Sequence, residues 1–181
     1  MNILTGNTIK LRALEPTDVE LLYNWENNSD IWAVSNTLVP FSRFILEKYI
    51  AESHMDIFQT KQLRLMIDYA GADKTETVGA IDLFDFDPMN ERAGIGILIS
   101  EQKYMNRGFA SEALELLINY SFNILQLHQL FCHIDSDNEV SIKLFEKFKF
   151  KITGEKVDWN KTPKGWKNVY MLQLINHSNH S

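Results

Sequence analysis

The chain has 181 residues, of which 45% are hydrophobic and 23% are charged, and its formal net charge is −6. This composition excludes a disordered or fibrous protein, and a chain of this length can bury a core of its own. The negative charge disfavours a general nucleic-acid binder, which needs a basic surface. No apolar run approaches the roughly 20 residues of a membrane span. We therefore expect neither a nucleic-acid nor a membrane partner.

The first third of the chain predicts a strand followed by two helices. The strand covers residues 7–14, and the first helix follows it, with Thr17 as the expected N-cap and Glu20 as its partner in a capping box. An irregular, aromatic segment over residues 27–40 separates this helix from a second helix over residues 44–54.

The rest of the chain changes from strands to alternating strands and helices. Apolar alternation predicts an antiparallel meander, and from residue 108 helical spacing appears. The predicted strands are 63–69, 77–86, 92–99 and 129–135, the helices are 108–124 and 138–148, and a hairpin of residues 150–156 and 168–174 ends the order. This order indicates an α+β fold with a mixed, mostly antiparallel sheet of six or seven strands flanked by helices. We expect a single domain over residues 1–176 and a polar tail over residues 177–181.

A polar loop joins the strand over residues 92–99 directly to the helix that follows. Unpaired backbone N–H groups at a helix start attract phosphate oxygens. Gly108 permits close approach of a ligand because it has no Cβ, and Arg107 adds a charge. By itself this pattern is also compatible with a plain turn before a helix.

Two motifs in order resemble the GCN5-related N-acetyltransferases (GNAT). Residues 104–110, YMNRGFA, resemble motif A of the family, usually written Q/R-x-x-G-x-G/A. Residues 138–150, from Asn138-Glu139 to Phe150, resemble motif B, and the distance between the motifs matches the family's helix and strand. Residues 11–18 and 165–170 are also similar to the family's start and end. Among its branches, the chain most resembles the one with spermidine and ribosomal-protein N-terminal acetyltransferases.

The resemblance implies a GNAT fold and an activity. In this fold the sheet is splayed at the cofactor site, and the enzyme transfers an acetyl group from acetyl-CoA to a primary amine by direct attack. The acceptor is either a polyamine-like small molecule or a protein N-terminus, and a homo-oligomer is possible. The alternative is a CoA-binding domain that has lost catalysis and acts as a sensor or interaction module.

The resemblance also implies which residues contact acetyl-CoA. The pantetheine arm is expected along the backbone of Ile97, Leu98 and Ile99, with the Leu98 N–H as the oxyanion donor. Motif B places Asn138, Ser141 and Phe145 at the cofactor, although an asparagine there is equally suited to be a helix N-cap. The pyrophosphate is expected on Met105, Asn106, Arg107, Gly108, Phe109, Ala110 and Ser111.

Several positions depart from the family's pattern. Met105 replaces the first glutamine or arginine of motif A, and Lys149 replaces the glycine of motif B. Relatives often carry a glutamate where Gly94 or its neighbour stands, and a tyrosine as general acid where Phe145 stands. Phe145 has no proton to give. These last two departures keep the sensor alternative open.

Asp82 is the candidate general base, since a carboxylate on the strand that faces the site accepts a proton and attracts a cationic amine. It is also compatible with a solvated residue of the strand. His133 lies in the strand beside the expected opening, where a lone histidine is more often structural. No spacing of His, Cys and carboxylates indicates a metal site.

Two further expectations concern the acceptor groove and the compartment. A groove for a peptide N-terminus has Trp25, Trp32, Trp159 and Trp166 as candidate walls, with core packing as the alternative, above all for Trp25. The only cysteine, Cys132, lies in an apolar run and no secretory signal precedes it, so a reducing cytoplasm is expected.

Overall fold

One seven-stranded sheet forms the centre of the protein. The computed structural model describes residues 3–28, 39–53, 55–70 and 74–177. The strands are β1 (Ile9–Arg12), β2 (Leu63–Ala70), β3 (Thr75–Asp87), β4 (Arg92–Ile99), β5 (Gln129–Asp135), β6 (Lys151–Thr162) and β7 (Gly165–Ile175). Their spatial order is β1-β2-β3-β4-β5-β7-β6. Only β4 and β5 are parallel, and every other neighbouring pair is antiparallel. The predicted mixed, mostly antiparallel sheet is confirmed.

Helices cover both faces of this sheet. They are α1 (Val19–Glu26), α2 (Arg43–Glu52), α3 (Ile57–Thr60), α4 (Phe109–Asn123) and α5 (Glu139–Lys147). Short 3₁₀ turns over Pro16–Asp18 and Gln102–Tyr104 precede α1 and α4. In the described part of the chain no helix is both long and apolar enough to cross a membrane. Residues 29–38, including Trp32, lie outside the described residues.

Two apolar clusters hold the helices to the sheet. The larger one joins α4 and Phe145 of α5 to one face, with Leu83 and Leu130 among its fully buried strand residues. The smaller one joins α1 and α2 to the opposite face through residues such as Trp25 and Met66. Successive strand residues point to opposite faces, so alternate residues of β2 and β3 serve different clusters. Trp25 is therefore a core residue and not a groove wall.

The start of the first helix differs from the prediction. Thr17 lies inside the 3₁₀ turn, whose N-cap is Glu15, and the N-cap of α1 itself is Asp18. The Asp18 carboxylate accepts the Glu15 amide at 2.8 Å and two hydrogen bonds from Arg12 at 2.7 and 2.9 Å. Burial would raise the pKa of Asp18, but these hydrogen bonds outweigh it and lower that pKa. The ion pair with Arg12 of β1 and the capping box of Glu15 and Asp18 together fix the turn, so the predicted cap lay two residues too late.

Candidate active site

Strands β4 and β5 separate after a short contact. They pair only where Arg92–Gly94 lie beside Gln129–Phe131, although β4 continues to Ile99 and β5 to Asp135. Beyond this contact, β4 stays with β3 as far as Ile99 and β5 stays with β7 as far as Asp135. The two halves of the sheet therefore diverge, and a wedge-shaped opening forms between β4 and β5.

The opening is a cavity of about 660 Å³ with residues from five elements on its walls. Both sheet halves and the start of α5 contribute. Its lining includes Ile95, Gly96 and Ile97 of β4, residues 132–135 of β5, Asn138, Ser141 and Phe145 of α5 and its cap, and Trp159, Asn160, Lys167 and Val169 of the last hairpin. Leu98 and Ile99 continue β4 beyond these lining residues, and Trp166 is exposed.

The loop after β4 presents backbone amides at the start of α4. Asn106 and Gly108 have φ angles of 59° and 85°, in the left-handed region. Gly108 is the N-cap of α4 and has no side chain to cover the first amides of the helix. Met105, Asn106, Arg107 and Gly108 are exposed, whereas the Phe109 side chain is buried in the core. At position 109 only the backbone is therefore available to a ligand.

Positive side chains surround this helix start. The Arg107 guanidinium lies 5.0 Å from the ring centre of Tyr69 and 4.9 Å from that of Phe109. The Lys147 ammonium at the end of α5 donates a hydrogen bond to Ser111 Oγ at 2.7 Å. Sequence reasoning missed Lys147. Its position two residues after Phe145, within motif B, was the available signal.

The motif B residues adopt defined local roles. The Asn138 Oδ1 atom accepts the Ser141 amide at 3.2 Å, so Asn138 is the N-cap of α5. Phe145 packs edge-on against Phe150, with ring centres 5.0 Å apart, and is buried beside the opening. All three motif B candidates, Asn138, Ser141 and Phe145, line the opening.

Asp82 is held in an ion pair. Its two oxygens accept hydrogen bonds from Arg64 Nε and Nη2 at 2.8 and 2.9 Å. Arg64 also contacts Glu26 of α1 at 3.1 Å. Asp82 lies opposite Gly96 in the β3–β4 register but is not among the lining residues of the opening. Both Asp82 oxygens are therefore occupied by the Arg64 guanidinium.

A small charged group lies on the hairpin side of the opening. The Lys167 ammonium is 2.8 Å from an Asp137 oxygen and 3.7 Å from an Asp135 oxygen. Asn160 donates a hydrogen bond to the other Asp135 oxygen at 2.8 Å. The hydrogen bond from Lys167 lowers the pKa of Asp137 and raises that of Lys167. These residues are far apart in sequence, so no local motif predicts the group.

Gly94 has a steric reason for being glycine. A Cβ atom at this position would overlap the ring of Phe84 on the neighbouring strand. The Phe84 ring in turn contacts the Phe131 ring edge-on, with centres 5.8 Å apart. Phe84 thus fills the space where relatives were expected to carry a carboxylate. Across the described residues, no cluster of three or more His, Cys, Asp or Glu is arranged to bind a metal ion.

Comparison with known proteins agrees with this geometry. Residues 8–151 match the family model of the acetyltransferase (GNAT) domain. The spermidine N(1)-acetyltransferase of Escherichia coli K12 is 27% identical over 154 residues, which cover 83% of this chain and 77% of that protein. Its counterpart in Vibrio cholerae is 26% identical over 174 residues, which cover 93% and 95% of the two chains.

A solved structure shares the fold. The Vibrio cholerae spermidine N-acetyltransferase in complex with CoA and spermine superimposes with a TM-score of 0.83 at 23% identity, covering 94% of this chain and 96% of that one. The parted strands, the glycine-capped helix start and the match of the family model over most of the chain lead to one conclusion. The chain belongs to the GNAT acetyltransferase family.

Proposed function

We propose that this acetyl-CoA-dependent N-acetyltransferase acetylates a small cationic primary amine of the polyamine class. The observation that carries the choice of acceptor is the pair of carboxylates, Asp135 and Asp137, beside the opening. The Lys167 ammonium already lies between them, and an alkylammonium is the group that a polyamine presents. Two carboxylates and one ammonium leave a net negative charge, which favours a cation over a neutral amine. The names of the curated relatives support the same class.

The donor is proposed to bind in the opening and on the loop before α4. The pantetheine arm would run along the β4 edge at Ile97, Leu98 and Ile99, where β5 no longer pairs with it. Asn138, Ser141 and Phe145 would bound its other side. The pyrophosphate would accept hydrogen bonds from the amides of Met105, Asn106, Arg107, Gly108, Phe109, Ala110 and Ser111, with Lys147 as an added cation.

The reaction needs the amine aligned with the thioester carbonyl, a donor to the oxyanion and a proton acceptor. The Leu98 amide is the proposed oxyanion donor. The CoA thiolate can leave without a protein acid because a thiol has a pKa of about 8.5, and Phe145 supplies none. Asp82 stays a prediction as the base, and its pairing with Arg64 supports instead a role in holding β2, β3 and α1 in place.

The compartment, the oligomeric state and the domain limits stay predictions. A reducing cytoplasm is consistent with Cys132, which is buried and unpaired. Burial raises the pKa of this thiol to about 12, which makes it unreactive at neutral pH. A homo-oligomer and a single domain over residues 1–176 are retained as proposals.

Acetyl-CoA-dependent thiol release tests the acceptor. We would compare spermidine, butylamine and a peptide with a free N-terminus, and expect the highest kcat/KM for spermidine. Asp137→Asn should raise the KM for spermidine about tenfold, because it removes a charged contact and frees Lys167 to repel the substrate. Glu115→Gln, which changes an exposed carboxylate of α4 in the same way, is the control and should change nothing.

The outcomes separate the alternatives. Turnover of the peptide but not of spermidine would show that the acceptor is wrong and the enzyme class right. Binding of acetyl-CoA without turnover of any amine would favour the sensor alternative.

A further inference from the structure

His133 lies between two neighbouring cavities of the protein. It lines the opening between β4 and β5, and it also lines a neighbouring cavity of about 540 Å³. The second cavity has Asp85 of β3, Phe131 of β5 and Lys156 of β6 on its walls. The imidazole is therefore accessible from the opening and from a separate space that reaches the other strands.

The His133 side chain lies on the face of β5 opposite to α4 and α5. Cys132 and Ile134 point into the core with Phe145, so the alternate residue His133 points to the other face. A row of rings fixes it there. The Phe84 and Phe131 ring centres are 5.8 Å apart, and the Phe131 and His133 ring centres are 5.6 Å apart. This row begins over Gly94, where β4 and β5 separate.

Three aspartates near the opening already form hydrogen bonds or ion pairs within the protein. Asp82 holds Arg64, Asp135 accepts Asn160, and Asp137 holds Lys167. By contrast, within the described ranges the His133 imidazole contacts an aromatic ring and forms no hydrogen bond. A histidine with a free ring nitrogen at the edge of a reaction site has the chemistry of a general base.

We propose that His133 is the proton acceptor of the acetyl transfer, acting on the amine directly or through one water molecule. The proposal rests on acetyl transfer as the function but not on which amine is used. It differs from the expectation from sequence, in which Asp82 had this role and a lone strand histidine was regarded as structural.

The proton balance is simple. The bound ammonium gives one proton to an imidazole nitrogen of His133, and the free amine forms the C–N bond with the carbonyl carbon. The tetrahedral intermediate collapses with cleavage of the C–S bond, and the nitrogen loses its second proton. The leaving thiolate takes up that proton through water, and His133 releases the first to solvent. The products are the amide, CoA as a thiol and one proton.

The electrostatic surroundings favour the neutral form of His133. Partial burial lowers the pKa of His133, Lys156 lowers it further, and Asp85 opposes both. Both cavities place charged groups around it on every neighbouring element. They are Asp85 and Asp87 of β3, Arg92 of β4, Asp135 of β5, Asp137 before α5, Lys156 of β6 and Lys167 of β7. A neutral imidazole is the form that accepts a proton.

The test combines a substitution with chemical rescue. His133→Ala should lower kcat/KM about 100-fold at pH 7, with an unchanged Kd for acetyl-CoA. Added imidazole should restore part of kcat, because it can enter the space left by the side chain. His177→Gln, an exposed histidine away from both cavities, is the matched control. Added imidazole should not raise the kcat of Asp82→Asn.

The pH dependence of kcat/KM gives a second test, because a purely structural role of His133 would not change it. In the wild type, kcat/KM should fall on the acid side with an apparent pKa below the usual value of about 6.5. In His133→Ala this limb should vanish, and activity should climb towards the pKa of the free amine. An unchanged acid limb, less than about twofold loss or absence of rescue would overturn the proposal. If spermidine fails as acceptor, the same comparison is made with whichever amine is turned over, so the two proposals fail separately.

Discussion

The two ends of β4 are built in opposite ways. At one end, Arg92–Gly94 pair with β5, and the ring of Phe84 closes the space over Gly94. At the other end, Ile95–Ile99 separate from β5, and the chain continues into a loop whose Gly108 lies at φ 85°. Side-chain packing thus holds the closed end, whereas backbone geometry shapes the open end. Gly94 is needed because a Cβ would overlap Phe84, and Gly108 is needed because of its positive φ.

The largest expected effect is at the closed end. A Cβ at residue 94 overlaps the Phe84 ring, so Gly94→Ala should lower the free energy of unfolding by about 3 kcal/mol, measured by urea denaturation. Gly96→Ala is a matched control on the same strand, because its Cβ would lie 3.9 Å from Phe84. Adding Phe84→Ala to Gly94→Ala should recover part of the loss. If Gly94→Ala and Gly96→Ala were equally stable, packing would not explain the closed end.

The next effect concerns Arg64, whose ion-pair partner Asp82 lies opposite Gly96 of β4. Arg64 joins β2 to Asp82 on β3 and to Glu26 on α1, with its side chain only 25% exposed. Arg64→Met should leave two carboxylates without their guanidinium and lower the free energy of unfolding by about 2 kcal/mol at pH 7. Urea denaturation of the variant and of the wild type at pH 7 measures this difference.

The control for Arg64→Met is an exposed ion pair of the same kind. Arg43 contacts Glu20 at 2.7 Å, but both side chains are more than half exposed. Arg43→Met should change the denaturation midpoint within experimental error, since exposed ion pairs contribute little. Equal losses for the two arginine substitutions would show that burial of the Arg64 ion pairs does not increase their contribution to stability.

The smallest effect on stability is expected in the loop after the open end. Gly108→Ala should cost about 1 kcal/mol, because alanine disfavours a positive φ. It should also weaken acetyl-CoA binding about tenfold, because the new methyl group would project where no protein atom lies within 4 Å. Gly154→Ala has equal space and no positive φ, and should leave the Kd for acetyl-CoA, measured by calorimetry, unchanged. Unchanged affinity in Gly108→Ala would contradict the proposed phosphate site.

Local sequence predicted the elements well where the pattern was long. The helix over residues 108–124 and the strands on both sides of it occur nearly as expected. The first strand was predicted too long. It starts at Ile9 because the preceding residues fold back on it, with the Gly6 amide donating to the Ile9 carbonyl and the Leu11 amide to the Leu4 carbonyl. These contacts compete with continuation of the strand, and the apolar alternation does not contain them.

The candidate site was predicted only in part, for a related reason. Motifs A and B lie on continuous segments, so sequence identified the glycine of the helix start and the asparagine that caps α5. His133, Lys147 and the Asp137–Lys167 pair acquire their surroundings from strands and helices that are distant in sequence. Their significance depends on register and strand order.

By itself the sequence determined the family, the order of the elements and the glycine at the start of α4, because hydrophobic period and backbone freedom are local properties. Only the tertiary structure decided that β4 and β5 separate after three residue pairs, since each strand follows its other neighbour. It also decided that Asp82 is paired with Arg64 while His133 faces the opening without a hydrogen bond in the described part of the chain. The physical reason is that the availability of a side chain for chemistry depends on its partners in space.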